Sequence, residues 1–429
     1  MFEYIKYFSL IFLFALDMQD IENYHNELQS VAVKNNLIGM SIAVVCKNNI
    51  LDIYHYGKSD IERNININHG TLYKVASISK SVTATALMIL YERHQFQLDD
   101  DISGYLGYKV SNPNFPNDKI TFRMLLTHTS SLQDSTAYDN FLTTTFQQNP
   151  PPPLKKLLVP GEKYFENNVW QNKAPGSYFS YCNLNNGLIG TLIEKISGKR
   201  FDIFVRQNIT GPLGIKGSFN VGDIKNINNL ATLYRNSIPQ TDNYKGINPI
   251  PRDLSQYQIG DNALIYSPQS GFRVSAADLS KFMMMHMNYG KYNGTRILDS
   301  ATVALMHSSQ WKYNGSNGDN YHNLFNNWGL GFHLISNSNG GDIIMDGTKM
   351  CGHSGNAYGL ISDMYFDTNN QFGFIFITNG YAGEKEYTKA ANSAFYKPEA
   401  EIFEIIKKLY ELRCCDKKRN LNEFRNQSN

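Results

Sequence analysis

Ser77 and Lys80 stand three residues apart at the head of the helical stretch Tyr73 to Leu90. That spacing puts both side chains on one helix face. A serine hydroxyl is a poor nucleophile at its own pKa; a neighbouring amine, with the positive end of a helix, can activate it and steady developing charge. Ser309 and Lys312 repeat the spacing without any supporting context, so the pair counts only with its surroundings. Tyr181 and Asn183 follow a Pro175-Gly176 turn and open an apolar helical run. A tyrosine facing an ammonium can ionise and act as a general base, and an asparagine amide can bond a substrate carbonyl. The third piece is Cys351-Gly-His353-Ser-Gly355-Asn356, leading into a strand-like run.

In this order, the three pieces resemble the serine β-lactamase and penicillin-binding protein superfamily. The likeness is to its class C β-lactamase-like branch, with esterase, D-aminopeptidase and LACTB-like relatives. Leu125 to Leu132, Pro212-Leu-Gly214, Ser275 to Phe282 and Trp328-Gly-Leu-Gly331 are similar to further landmarks of that branch, and the resemblance spans about residues 25 to 410. It implies that Ser77 is the acyl-accepting nucleophile, Lys80 its activator, and Tyr181 the general base and leaving-group acid. It also implies substrate contacts from Asn183, His353, Gly355 and Asn356, with an oxyanion hole from the backbone N–H groups of Ser77 and Asn356. His353-Ser-Gly355 replaces the Lys-Thr-Gly of β-lactamases proper, which turns the expectation towards an esterase or a small-amide or peptide hydrolase. A D-amino-acid-specific peptidase, a weak β-lactamase and a non-catalytic binding or assembly member of the family are the alternatives. Ser270 and Cys182 stand where relatives often have Gly and Ser.

Other chemistries lack their residues. Gly352-His-Ser-Gly-Asn356 has Asn where a nucleophile elbow needs Gly, and no histidine follows His353, so the Ser–Asp–His order fails. Neither a His-Glu-x-x-His motif, a dinucleotide fingerprint nor a phosphate loop is present, and neither a metal nor a cofactor is expected. His128 reads as a structural histidine, and the run Met283 to Met287 as core filler.

Positioning these groups calls for a mixed α/β fold: an antiparallel sheet flanked by helices, with an inserted, mostly helical subdomain and the site between them. Residues 20–81 and 265–412 are expected to build the sheet domain and 82–264 the insertion. A helix over 20–36, a hairpin at Met40–Cys46 and Ile50–Tyr56, strands at Gly359–Phe366 and Phe372–Thr378, and a helix at Ala400–Leu412 follow from the periodicity. The run Pro150–Pro153 reads as a polyproline II connector. Segments Gln133–Trp170 and Asn236–Ile265 are expected to wall the pocket.

The 429 residues are 42% hydrophobic and carry 40 Lys and Arg against 38 Asp and Glu, so the chain can bury a large core and lacks the basic footprint of a nucleic-acid binder. A small-molecule ester, amide or peptide is the expected partner, with no nucleic acid and no stable membrane span. The five cysteines form no disulfide framework or metal motif, and most read as free thiols; residues 413–429 read as a mobile charged tail holding Cys414 and Cys415. Within residues 1–19, the run Tyr7–Leu16 behind Lys6 reads as a signal-peptide core or an N-terminal anchor. As a signal it implies secretion or an endomembrane or vacuolar destination, consistent with sequons at Asn208, Asn293, Asn314 and Asn426; otherwise the expectation is cytoplasmic.

Overall fold

The computed structural model describes residues 19–414 except 339 and 385. The Tyr7–Leu16 run and Asn426 therefore lie outside the described residues. Helix α1 (19–34) leads into strands β1 (Gly39–Cys46) and β2 (Asn49–Asp60). Between them, Lys47 and Asn48 both take positive φ, 49° and 63°, as a two-residue turn matching the strand twist requires. Strands β3 (Ile65–Asn66) and β4 (Tyr73–Lys74) precede a 3₁₀ turn at Ala76–Ile78 and helix α2 (Ser79–Glu92). Beyond it come helix α3 (Asn183–Ser197), strand β5 (Arg273–Val274) and helix α4 (Ala276–Met287). Strands β6 (Trp311–Lys312), β7 (Asn327–Trp328), β8 (His333–Leu334), β9 (Cys351–Ala357), β10 (Leu360–Asp367) and β11 (Phe372–Thr378) follow, then helix α5 (Lys397–Arg413).

One antiparallel sheet of nine strands has the order β6-β7-β8-β9-β10-β11-β1-β2-β3. Its middle joins the two chain ends, because β1 pairs with β11 from Met40–Thr378 to Cys46–Phe372. Both faces are covered, which explains why β1 is a continuous apolar run and not an alternating one. Met40, Ile42 and Val44 pack with Phe374, Phe376 and the α5 residues Ile402, Phe403 and Ile406 on one face. Ala43 and Val45 enter the larger cluster with α2, α3 and the α4 methionines on the other. Every residue from Ser79 to Leu90 is buried, so α2 is a central helix without a polar face. Between α2 and β5 the chain is mainly helical, with a small hairpin pairing Leu233–Arg235 to Ile238–Thr241.

Two expectations are corrected. Cys414 does not belong to a mobile tail: α5 runs to Arg413, and buried Cys414 is disulfide-bonded to Cys46, with Cα atoms 6.0 Å apart. Pairing of β1 with β2 and β11, and of α5 with the same sheet face, carries the two cysteines across a separation of 368 residues. Cys182 and Cys351 remain buried free thiols. Helix α5 also begins at Lys397, before Ala400, since Pro398 suits a first turn and Glu399 accepts from the Tyr396 N–H at 2.5 Å. No helix among the described residues is long and apolar enough to cross a membrane.

Candidate active site

The segment before α2 turns sharply. Ala76 adopts φ 46°, a left-handed backbone that costs a non-glycine residue strain and is held here by its buried surroundings. Ser77 follows it and faces the first turn of α2, where unpaired N–H groups leave positive potential. Lys80, one turn on and 1% exposed, points its Nζ at three acceptors: Ser77 Oγ at 2.9 Å, Asn183 Oδ1 at 2.8 Å and the Gln269 carbonyl at 2.9 Å. Burial brings the Lys80 pKa down to about 7, against opposition from the Asp134 carboxylate.

Asn183 is the first residue of α3. Its backbone N–H and that of Leu184 donate to Asp134 at 2.8 and 3.1 Å, and its Nδ2 donates to the same carboxylate at 2.7 Å. Asp134 therefore caps α3 and sets which way the amide faces. Tyr181 lies across Lys80, with Nζ 4.8 Å from its ring centroid, and burial pushes its phenol well above the usual tyrosine range. His128 steadies that ring from beside it: the centroids are 4.5 Å apart, and His128 Nδ1 accepts from the Cys182 N–H at 3.1 Å. Burial also raises the Cys182 thiol well above its ordinary pKa, which keeps it inert.

Strand β9 forms the other wall. Only Cys351 and Gly352 pair with β8, so from His353 onward this edge is free to lie against the turn carrying Ser77. Gly355 makes the approach: a Cβ there would stand 2.8 Å from the Val75 carbonyl oxygen and 3.0 Å from the Ser77 nitrogen. Ser362 Oγ, on β10, donates to the same Val75 carbonyl at 3.0 Å and ties strand to turn. Asn356 is exposed, its Nδ2 donating to Tyr396 Oη at 2.8 Å. His353 is fully buried, its ring 6.1 Å from that of Tyr181 and 5.4 Å from that of Trp328. Its Nδ1 lies 2.6 Å from the Ser354 carbonyl and so carries the hydrogen, and burial with the nearby Lys80 holds the ring neutral. The ring lies behind Tyr181, and its Nε2 has no hydrogen-bond partner among the described residues.

The structure thus gathers Ser77, Lys80, Tyr181, Asn183 and Gly355, with Asn356 at the rim and His353 behind Tyr181. Sequence reasoning missed Asp134 and the Gln269 carbonyl. Asp134 follows the Leu125–Leu132 segment but acts on Asn183 from 49 residues away, and a backbone acceptor leaves no mark in a motif. Ser309 and Lys312 are apart from the site: Ser309 Oγ donates to Asn327 Oδ1 at 2.6 Å, and Lys312 lies in β6.

The Beta-lactamase family model matches residues 21–396. The chain belongs to the beta-lactamase family. Protein flp of Staphylococcus aureus (strain MRSA252) is 25% identical over 181 residues, which are 42% of this chain but only 34% of that protein. Penicillin-binding protein 4 of Amycolatopsis lactamdurans is 22% identical over 376 residues, covering 86% of this chain and 88% of its own. Among solved structures, the octameric penicillin-binding protein homologue from Pyrococcus abyssi superposes with a TM-score of 0.65 at 20% identity, over 91% of this chain and 78% of that one. That superposition shows the same mixed α/β fold with its large antiparallel sheet.

Proposed function

We propose that this beta-lactamase family member is a serine hydrolase that forms an acyl-enzyme on Ser77 from an ester or a small amide or peptide. The observation that carries the reading is the Lys80 amine, buried and 2.9 Å from Ser77 Oγ, with a pKa near 7. Of its three acceptors, the Gln269 carbonyl can only accept, and Asn183 Oδ1 is held as an acceptor because Nδ2 is engaged by Asp134. When Lys80 loses its proton, its two remaining N–H bonds stay on those two oxygens and its lone pair turns to the Ser77 hydroxyl. Lys80 is therefore the general base, and Tyr181, held as a phenol, the acid.

In the first step the Ser77 Oγ–H proton passes to Lys80 as Oγ bonds the substrate carbonyl carbon. The tetrahedral oxyanion is met by the Ser77 and Asn356 N–H groups, a reading supported by the contact of Gly355 with the Ser77 turn. The bond to the leaving group breaks, the leaving atom takes the Tyr181 proton, and Lys80 restores it. Water then attacks the acyl-enzyme by the reverse route, releasing the acid and free Ser77. The family's β-lactam chemistry is a weaker fit, since the neutral, buried His353 replaces a lysine ammonium.

A fluorophosphonate followed by intact mass and peptide mapping tests this. One adduct on Ser77, absent from Ser77→Ala, is the expected result; a folded protein that takes no adduct while failing to turn over p-nitrophenyl esters would sink the assignment.

A further inference from the structure

A cavity of about 650 Å³ adjoins this site. Its lining holds none of the site residues themselves but includes their close neighbours along the chain: Lys74 precedes Ser77 by three residues, Ser267 precedes Gln269 by two, and Tyr358 follows Asn356 by two. Part of its wall comes from the 236–265 segment, and Tyr244 and Tyr266 add aromatic surface.

The charges in this cavity do not cancel. Lys74, Arg200, Arg252 and Arg273 line it against Asp223 and Asp242. Arg273 is used by a bidentate pair to Asp242 at 2.9 and 2.8 Å, Asp223 by Arg206 at 3.0 Å, and Arg200 by Asp202 at 2.7 Å. Two cations are left. Arg252 donates to the backbone carbonyls of Thr145 and Gln148 and meets no carboxylate. Lys74 has no hydrogen-bond or ion-pair partner among the described residues, and its Nζ stands 4.9 Å from the Tyr358 ring centroid. Burial, then Arg273, lowers its pKa to about 8, and the Asp242 carboxylate, already paired with Arg273, offsets this only in part. An anion brought here would gain two partners in a setting where aromatic walls weaken screening.

Position along β9 says which half of the substrate the cavity takes. Tyr181, the proton donor to the leaving group, sits at the His353 end. Tyr358, which lines the cavity, stands in the turn just past the other end of β9, roughly 15 Å from His353 along the strand. On the hydrolase reading, the leaving group departs towards the Tyr181 end and the half that stays on Ser77 is directed to the opposite end.

We propose that the acyl half of the substrate ends in a carboxylate, bound in this cavity by Lys74 and Arg252. This rests on the hydrolase reading above and adds the substrate class. The test compares p-nitrophenyl pentanoate with mono-p-nitrophenyl glutarate, which differ by the terminal carboxylate. Wild type should favour the glutarate in kcat/KM by about tenfold or more, and Lys74→Met should abolish that preference while changing pentanoate hydrolysis by less than about threefold. Equal loss on both esters, or an unchanged preference, overturns the proposal. Lys74→Glu should reverse it, favouring a 5-aminopentanoyl ester. Calorimetry of glutarate with Ser77→Ala needs no turnover. Binding that disappears in the Ser77→Ala/Lys74→Met double variant supports the anion site even if wild type hydrolyses no ester, an outcome that would fail the hydrolase reading alone; no Lys74-dependent binding overturns the site whatever the esterase assay shows.

Discussion

Asn183 turns its amide between two opposite partners, donating from Nδ2 to Asp134 at 2.7 Å and accepting at Oδ1 from Lys80 at 2.8 Å. A solvent-facing carboxylate thereby fixes the orientation of an amide at Lys80, and with it, on the proposed mechanism, the direction of the lysine's lone pair. Asp134→Ala frees the amide to turn and removes the acceptor of two N–H groups at the start of α3. Activity is expected to fall about 10- to 100-fold, mainly in kcat, and stability by about 1 kcal/mol. Steady-state kinetics beside urea unfolding separates the two effects; an unchanged kcat would remove Asp134 from the mechanism.

As the proposed base, Lys80 should set the pH dependence. Its pKa lies near 7, below that of a free lysine, so the fraction present as free amine grows as pH rises to about 7 and saturates above it. Values of kcat/KM should climb about tenfold per unit below that point and level off beyond it. Lys80→Arg should be inactive across the range, because a guanidinium keeps its proton. A flat wild-type profile between pH 5 and 9 would exclude Lys80 as the base.

Tyr181→Phe should reveal its role through the leaving group. An aliphatic alcohol or amine needs a proton as it departs, whereas p-nitrophenolate leaves without one. The variant should lose about 100-fold or more on ethyl esters or amides and markedly less on p-nitrophenyl esters. Equal losses on both would assign Tyr181 to packing against His128 and Lys80.

What could be read from the sequence was what is local or strongly apolar. The runs of β1, β10 and β11 and the face of α5 announce themselves by hydrophobicity, and Ser77 with Lys80 by helical spacing. Strand β9 did not, because Gly352, Ser354, Gly355 and Asn356 break any alternation; its strand form comes from pairing with β10. Asp134, the Gln269 carbonyl and the Cys46–Cys414 bond act across 49, 189 and 368 residues, distances that only the folded chain closes.

The Cys46–Cys414 bond ties β1 to the end of α5 and closes nearly the whole chain into one loop. Cross-linking so long a loop restricts the unfolded ensemble strongly. Cys46→Ser, or reduction with dithiothreitol, should cost about 2–5 kcal/mol in unfolding free energy. Esterase activity at 25 °C should persist, since neither cysteine approaches Ser77. A melting temperature indifferent to reductant would show that the bond does not form in solution.

A second titration is built into the other face of the sheet. Asp363 on β10 is fully buried, and burial with the adjoining Glu399 carboxyl raises its pKa well above the carboxylate range; burial raises Glu399 as well. The folded protein holds protons that the unfolded chain releases at ordinary carboxylate pKa values, so this pair's contribution to stability shrinks as pH rises from about 4 upward. Buried histidines such as His128 and His353, whose pKa values are lowered, push the opposite way below neutrality, so the raw melting curve mixes both. The informative quantity is a difference. Asp363→Asn keeps the shape but cannot ionise, and its unfolding free energy minus that of wild type should grow from pH 5 to pH 8, by up to about 1.4 kcal/mol per pH unit where one proton is involved. A difference independent of pH would mean that the two carboxyls titrate normally and that α5 docks without sharing a proton with the sheet.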